Sequence, residues 1–256
     1  MRPRTVLPAL GAALALLAAA CSSSTSEGEA ASATTDAAVT TVDPAGASTT
    51  AGAEAGGSEP VAFTAEVWAD NWFSLTVNGE AVGEDSVPIT TERSFNAETI
   101  EFEATYPLTV AFVTKDFTED ASGLEYIGTP RQQLGDGGFI AQITDESTGE
   151  VVAVTDASWR GLAVQRAPLN TECVSSSDPT SECESEDLGE PDGWTDADYD
   201  DGAWDDATVY TAAQVDPKEG YDEIDWDPAA ELIWTSDLEV DNTILWRVTV
   251  PAPAGA

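Results

Sequence analysis

From Val61 onward the apolar residues come in short runs mixed with β-branched and aromatic neighbours, and nowhere do they hold a helical period for three turns. A chain without a long apolar stripe must bury its apolar groups on pleated faces, so the reading is all-β. Strands are expected at Val61–Trp68, Trp72–Val77, Thr99–Ala104, Leu108–Val113, Phe139–Thr144, Val151–Thr155, Leu232–Trp234 and Thr243–Val250, with a short one at Thr208–Tyr210. Asn78-Gly79, between Trp72–Val77 and Glu80–Val82, is the strongest hairpin signal in the chain. Many short strands separated by Gly, Pro, Asn and Asp predict an antiparallel β-sandwich or jelly roll.

All eight Trp, five Tyr and seven Phe lie beyond Pro60. Residues 21–60 are Ser, Thr, Ala, Gly and Glu in loose alternation, with no aromatic residue, Leu or Ile. Such a segment cannot bury enough apolar area to offset the entropy of ordering, so a disordered tether is expected there. Ahead of it, Arg2 and Arg4 precede an uncharged Leu/Ala run ending in Ala18-Ala19-Ala20-Cys21. That run is about 15 residues, short of the ~20 needed to span a bilayer, which favours an export signal over residues 1–20. The cysteine after small residues resembles the bacterial lipobox, although Ala18 stands where Leu is usual and Leu17 lies one place further out. The resemblance implies a diacylglyceryl anchor on Cys21, holding the chain on the outer face of the cytoplasmic membrane or at the cell surface. The plainer alternative is cleavage nearby, leaving Cys21 a free thiol. The domain is therefore expected over 61–250, followed by a short tail at 251–256.

The chain carries 48 Asp and Glu against nine Lys and Arg, a formal charge of −39. A surface so negative repels nucleic acid and anionic lipid headgroups, which leaves the lipid anchor as the only expected membrane contact. Adaptation to a salty medium, calcium binding and a basic partner each account for the excess. Cys173 and Cys183 lie ten apart in a polar loop, and an even pair in an exported chain predicts a disulfide. Closing that loop contributes about 2–3 kcal/mol in the chain-entropy model. There is no histidine, which excludes His-based general base catalysis and Ser-His-Asp triads. A carboxylate pair of the glycosidase kind is what remains for catalysis. Among 48 acids finding such a pair means little, so the chain is read as a non-enzyme that requires no cofactor.

Three stretches together resemble galactose-binding-like jelly-roll domains, especially the accessory modules of bacterial α-L-rhamnosidases and β-galactosidases. They are Ala69–Gly79, the pair Gly137–Ile143 and Thr155–Arg160, and Gly193-Trp194 followed by Asp200-Asp-Gly-Ala-Trp204-Asp-Asp-Ala207. Gly202 stands where that family often has Ser. The resemblance implies loops at one end of the sandwich that bind sugars, sometimes beside calcium, though such domains also serve as spacers. A glycan or another envelope component is thus the expected partner.

Ligand candidates follow from residue type. Tyr221 and Trp226 offer flat faces for a sugar ring, and Asp222, Glu223 and Asp225 offer hydroxyl acceptors. Trp68, Asp70, Asn71 and Trp72 form a second cluster, while Tyr126, Arg131 and Asp136 in a Gly-rich loop form a third. For the first the competing reading is that Trp226 plugs the sandwich edge, and for the second that the alternating aromatics face the core. If calcium binds, the expected donors are Asp198, Asp200 and Asp201, or Asp225 and Asp227. The first of these runs lacks the EF-hand glycine placement and has Ala207 at the twelfth position.

Overall fold

The computed structural model describes residues 59–254. The expected signal peptide, Cys21 and almost the whole tether lie outside the described residues. The chain forms β1 (Val61–Asp70), β2 (Trp72–Val77), β3 (Glu80–Glu84), β4 (Ala97–Ala104), β5 (Leu108–Lys115), β6 (Leu124–Glu125), β7 (Gln133–Leu134), β8 (Gly138–Asp145) and β9 (Glu150–Val154). It continues through β10 (Arg160–Arg166), β11 (Glu186–Asp187), β12 (Asp205–Asp206), β13 (Thr208–Tyr210), β14 (Leu232–Trp234) and β15 (Asp241–Val250). One sheet runs β13-β14-β8-β1-β4, with β9 sharing an edge of β8; the other runs β11-β10-β15-β5-β2-β3, with β12 beside β10. Every pairing is antiparallel.

The two sheets form a sandwich because alternate residues of the long strands turn inward. Phe63, Ala65, Val67 and Ala69 of β1 meet Leu108, Val110 and Phe112 of β5 and Ile244 and Trp246 of β15 in one buried core. Phe112 and Phe139 cross the interface with ring centroids 4.9 Å apart. Each buried aromatic ring removes roughly 150–250 Å² from water. The almost wholly buried Trp68, Trp159, Trp234 and Trp246 therefore each stabilise the fold by several kcal/mol at about 25 cal/mol per Å².

The strands expected from alternation are present. Asn78 and Gly79 both take positive φ, 53° and 81°, which is what a two-residue hairpin turn requires. Besides the two-residue β6, β7, β11 and β12, alternation did not indicate β10, where a register shift between Ala163 and Arg166 breaks the period. A Cβ at its Gly161 would come within 2.5 Å of the Trp246 ring. The glycine is therefore a packing requirement in the middle of a sheet.

Both outer faces are covered by connecting segments. On the β5–β15 sheet, Ala111, Val113, Val164 and Leu245 are hidden by Trp194 and Trp204, which is how the Asp-Asp-x-x-Trp-x-x-Ala segment packs onto the sandwich. Arg247, only 3% exposed, fastens that cover: its guanidinium pairs with Asp201 at 2.9 Å and donates to the carbonyls of Trp194 and Asp196. On the opposite sheet Trp68, Ile140 and Leu232, together with Val215 from the connection after β13, are capped by Tyr221 and Trp226. β5 is buried along seven of its eight residues because it has a core on one face and a cover on the other.

Candidate functional site

Where β1 and β5 end and β8 and β15 begin, the backbone ties several loops to one another. The Asn71 amide donates to the Lys115 carbonyl at 2.7 Å, the Asp116 amide to Asn242 at 2.9 Å, and the Gly137 amide to Leu238 at 3.0 Å. The Phe117 amide donates to Asn71 Oδ1 at 2.7 Å. The Asp70–Asn71 peptide in this frame is cis. These bonds gather three aspartates, and Asp70, Asp116 and Asp136 each bring a carboxylate oxygen within 4.8 Å of the other two.

Asp70 is fully buried and Asp116 is 4% exposed, yet none of their four carboxylate oxygens accepts a hydrogen bond. Leaving such groups unpaired is expensive, since a buried carboxylate normally has a partner. Burial, followed by the charges of Asp136, Asp116 and Glu125, pushes the Asp70 carboxyl well above its usual range, with Lys218 opposing. Asp116 is raised in the same way by burial, Asp136 and Glu125; the amides of Phe117 and Asp136 oppose this without reaching hydrogen-bond geometry. Asp136, half-buried, is raised by burial, and Glu125 is pushed to about 7 by burial and the Asp136 charge. Lys218 is itself ion-paired with Asp216. Gly135 leaves space for the Asp116 carboxylate, because a Cβ there would fall 1.8 Å from Oδ2.

The structure thus unites Asp70 and Asn71 of one sequence cluster with Asp136 of another and adds Asp116, which sequence reasoning passed over. Asp116 follows a buried strand as an ordinary terminating acid, and only the strand pairing reveals its neighbours. Trp68 leaves this group for the outer face, where its indole N–H donates to the Glu219 carbonyl at 3.1 Å. Trp72 lies half-buried beneath Lys115, 5.0 Å from its ring centroid. Arg131 stacks on the Tyr126 ring at 3.7 Å.

Tyr221 and Trp226 lie side by side, with ring centroids 6.0 Å apart and planes inclined by 32°. Trp68 meets Tyr221 edge-on, and the Trp226 indole N–H donates to the Tyr221 carbonyl at 3.0 Å. Gln142 of β8 accepts from the Asp227 amide at 2.6 Å and anchors the loop to the sheet. Both rings are half-buried, whereas Asp222, Glu223 and Asp225 are exposed.

Of the expected calcium donors, Asp198, Asp200 and Asp201 do not form a group at mutual ligand distance. Asp201 is paired with Arg247, Asp200 Oδ1 accepts from the Gly202 amide, and Asp227 Oδ1 accepts from the Ala229 amide. Among the described residues, the one group of three carboxylates at mutual ligand distance is Asp70, Asp116 and Asp136. Cys173 and Cys183 form a disulfide with a Cα separation of 5.3 Å, and Gln132 ties the adjoining loop through the Val174 and Ser176 carbonyls.

A groove of about 530 Å³ opens at the lateral edge beside β10, lined in part by Arg166, Leu188, Trp204 and Asp241. Its central polar groups are already committed: Arg166 Nε donates to Asp241 Oδ1 at 2.7 Å and Thr235 Oγ1 to Asp241 Oδ2 at 2.6 Å. No family model, curated protein or solved structure matches this chain.

Proposed function

We propose that this chain is a surface-tethered, non-catalytic carbohydrate-binding module of the galactose-binding-like jelly-roll type. The observation that carries the reading is the Tyr221–Trp226 pair: two aromatic rings held side by side, half open, with exposed carboxylates next to them. Sugar recognition uses this combination of flat apolar faces for the ring's C–H groups and acceptors for its hydroxyls. The two-sheet antiparallel sandwich and the outer-face packing of Trp204 agree with the family resemblance. The lipid anchor on Cys21 belongs to the same proposal and would keep the module outside the cytoplasm.

A structural or protein-interaction role is the second reading, favoured by the inward contacts of both rings with Trp68 and Leu232. Catalysis is not part of the proposal, which rests on the aromatic pair and the acceptors beside it. A glycan-array screen of the full chain, alongside Tyr221→Ala and Trp226→Ala, tests the reading. Binding by the wild type that weakens at least about tenfold in either variant supports it, in line with the 1–3 kcal/mol typical of aromatic stacking platforms. Silence of the folded wild type across a broad array transfers the assignment to the structural reading.

A further inference from the structure

We propose that Asp70, Asp116 and Asp136 form a calcium site at the loop end of the sandwich, independent of whether the module binds sugar. The geometry that carries this is the convergence of the three carboxylates within 4.8 Å together with the four unpartnered oxygens of Asp70 and Asp116 in a buried position. Three adjacent carboxylates with nothing between them repel one another, and a divalent ion supplies both the missing charge and the missing partners. Lys218 does not fill this role, since its ammonium is paired with Asp216.

The donor set defines the class of ion. All the nearby ligands are oxygen and the chain has no histidine, which selects a hard cation over zinc or copper. Calcium accepts carboxylates arriving from separate loops at irregular angles, whereas magnesium demands an octahedron and keeps several waters. Asp70 and Asp116 are closed off, so little room remains for such a water shell, while half-buried Asp136 leaves one side for entry. Gly135 keeps the cradle open, because any side chain there would displace the Asp116 carboxylate. Bound in this place, the ion would tie the end of β1, the end of β5 and the loop before β8 into one unit.

The test is calorimetric titration of the full chain after chelator treatment, in about 0.15 M salt to screen the surface acids, with thermal melting in parallel. We expect one strongly bound calcium per chain and a melting temperature that rises with calcium and falls back with chelator. Asp116→Asn and Asp136→Asn should each weaken binding at least about tenfold, while the exposed Asp198→Asn should leave it unchanged. Absence of both heat and melting shift in the wild type overturns the proposal, as does undiminished binding in the two folded variants. Magnesium binding as tight as calcium overturns the choice of ion. Should the variants fail to fold, anomalous scattering from wild-type crystals grown with calcium decides: an ion among the three aspartates upholds the site, and an ion only elsewhere removes it. A glycan-array failure leaves each of these outcomes unaffected, so the two readings fall separately.

Discussion

Two acid-rich regions of this molecule have the same side chains and opposite physics. In the stretch from Asp196 to Asp206 the acids stand at the surface or accept from their own backbone, and Asp201 faces the buried Arg247. At the loop end, no carboxylate oxygen of Asp70 or Asp116 accepts a hydrogen bond, and both groups are shut away from water. The first region looks like a metal loop in sequence and behaves as a cover fastened by the buried Arg247 and, at its far end, by Arg160, which pairs with Asp206 and donates to the Trp204 carbonyl. The second is scattered through the sequence and is the one with the properties of a metal centre. Density of carboxylates is therefore a poor guide to a site, whereas burial without partners is a good one, because water otherwise satisfies each acid individually.

The sharpest way to break this comparison is to remove the fastening. Arg247→Ala leaves Asp201 and the carbonyls of Trp194 and Asp196 without their donor, and should destabilise the domain by about 3–5 kcal/mol, as for other broken buried ion pairs. Denaturant melts measure the loss, and hydrogen exchange should show it concentrated in residues 193–206. A variant that keeps wild-type stability would mean that Trp194, Trp204 and the Arg160 contacts hold the cover without Arg247.

Gly135→Ala tests the other region. The added Cβ would fall 1.8 Å from Asp116 Oδ2, and overpacking of this kind should lower stability by about 1–3 kcal/mol. The calcium-dependent rise in melting temperature should shrink with it. An unchanged melt with and without calcium would show that the Asp116 carboxylate is free to move aside.

Asp85 sharpens the comparison from a third position. Burial, and to a smaller degree the charges of Glu98 and Glu84, raise its carboxyl from 3.8 to about 6, and its Oδ2 has no partner. A carboxyl with a raised folded-state value favours the folded chain while it is protonated. That contribution is complete below pH 3.8 and is lost as pH rises through about 6. Asp85→Asn keeps an acceptor for the Val87 amide and removes the charge. Its melting temperature should therefore gain on the wild type as pH climbs from 4 to 7, and parallel pH curves would refute the assignment. The smallest effect is expected at Asp198, exposed in the acid-rich cover. Its replacement by Asn should change stability by no more than about 0.5 kcal/mol, and a larger loss would mean that this surface acid has a hidden role.

The alternation of β1, β2 and β8, the Asn78-Gly79 turn and the Cys173–Cys183 pair were legible because each depends on neighbours in the chain. A pleat repeats every two residues, a hairpin turn needs positive φ at two adjacent positions, and a ten-residue loop can close on itself. β10 was not legible, since its Gly161 is explained by Trp246 on the adjoining strand and its period is broken by a bulge. The candidate site was half legible: Asp70, Asn71 and Asp136 were singled out by residue type, but in separate groups and with aromatic companions that point elsewhere. The sequence alone determined the class of fold, the strand faces and the unusual number of acids. Tertiary structure decided which acids lost water and gained no partner, because exposure and charge proximity depend on strands brought together from distant parts of the chain.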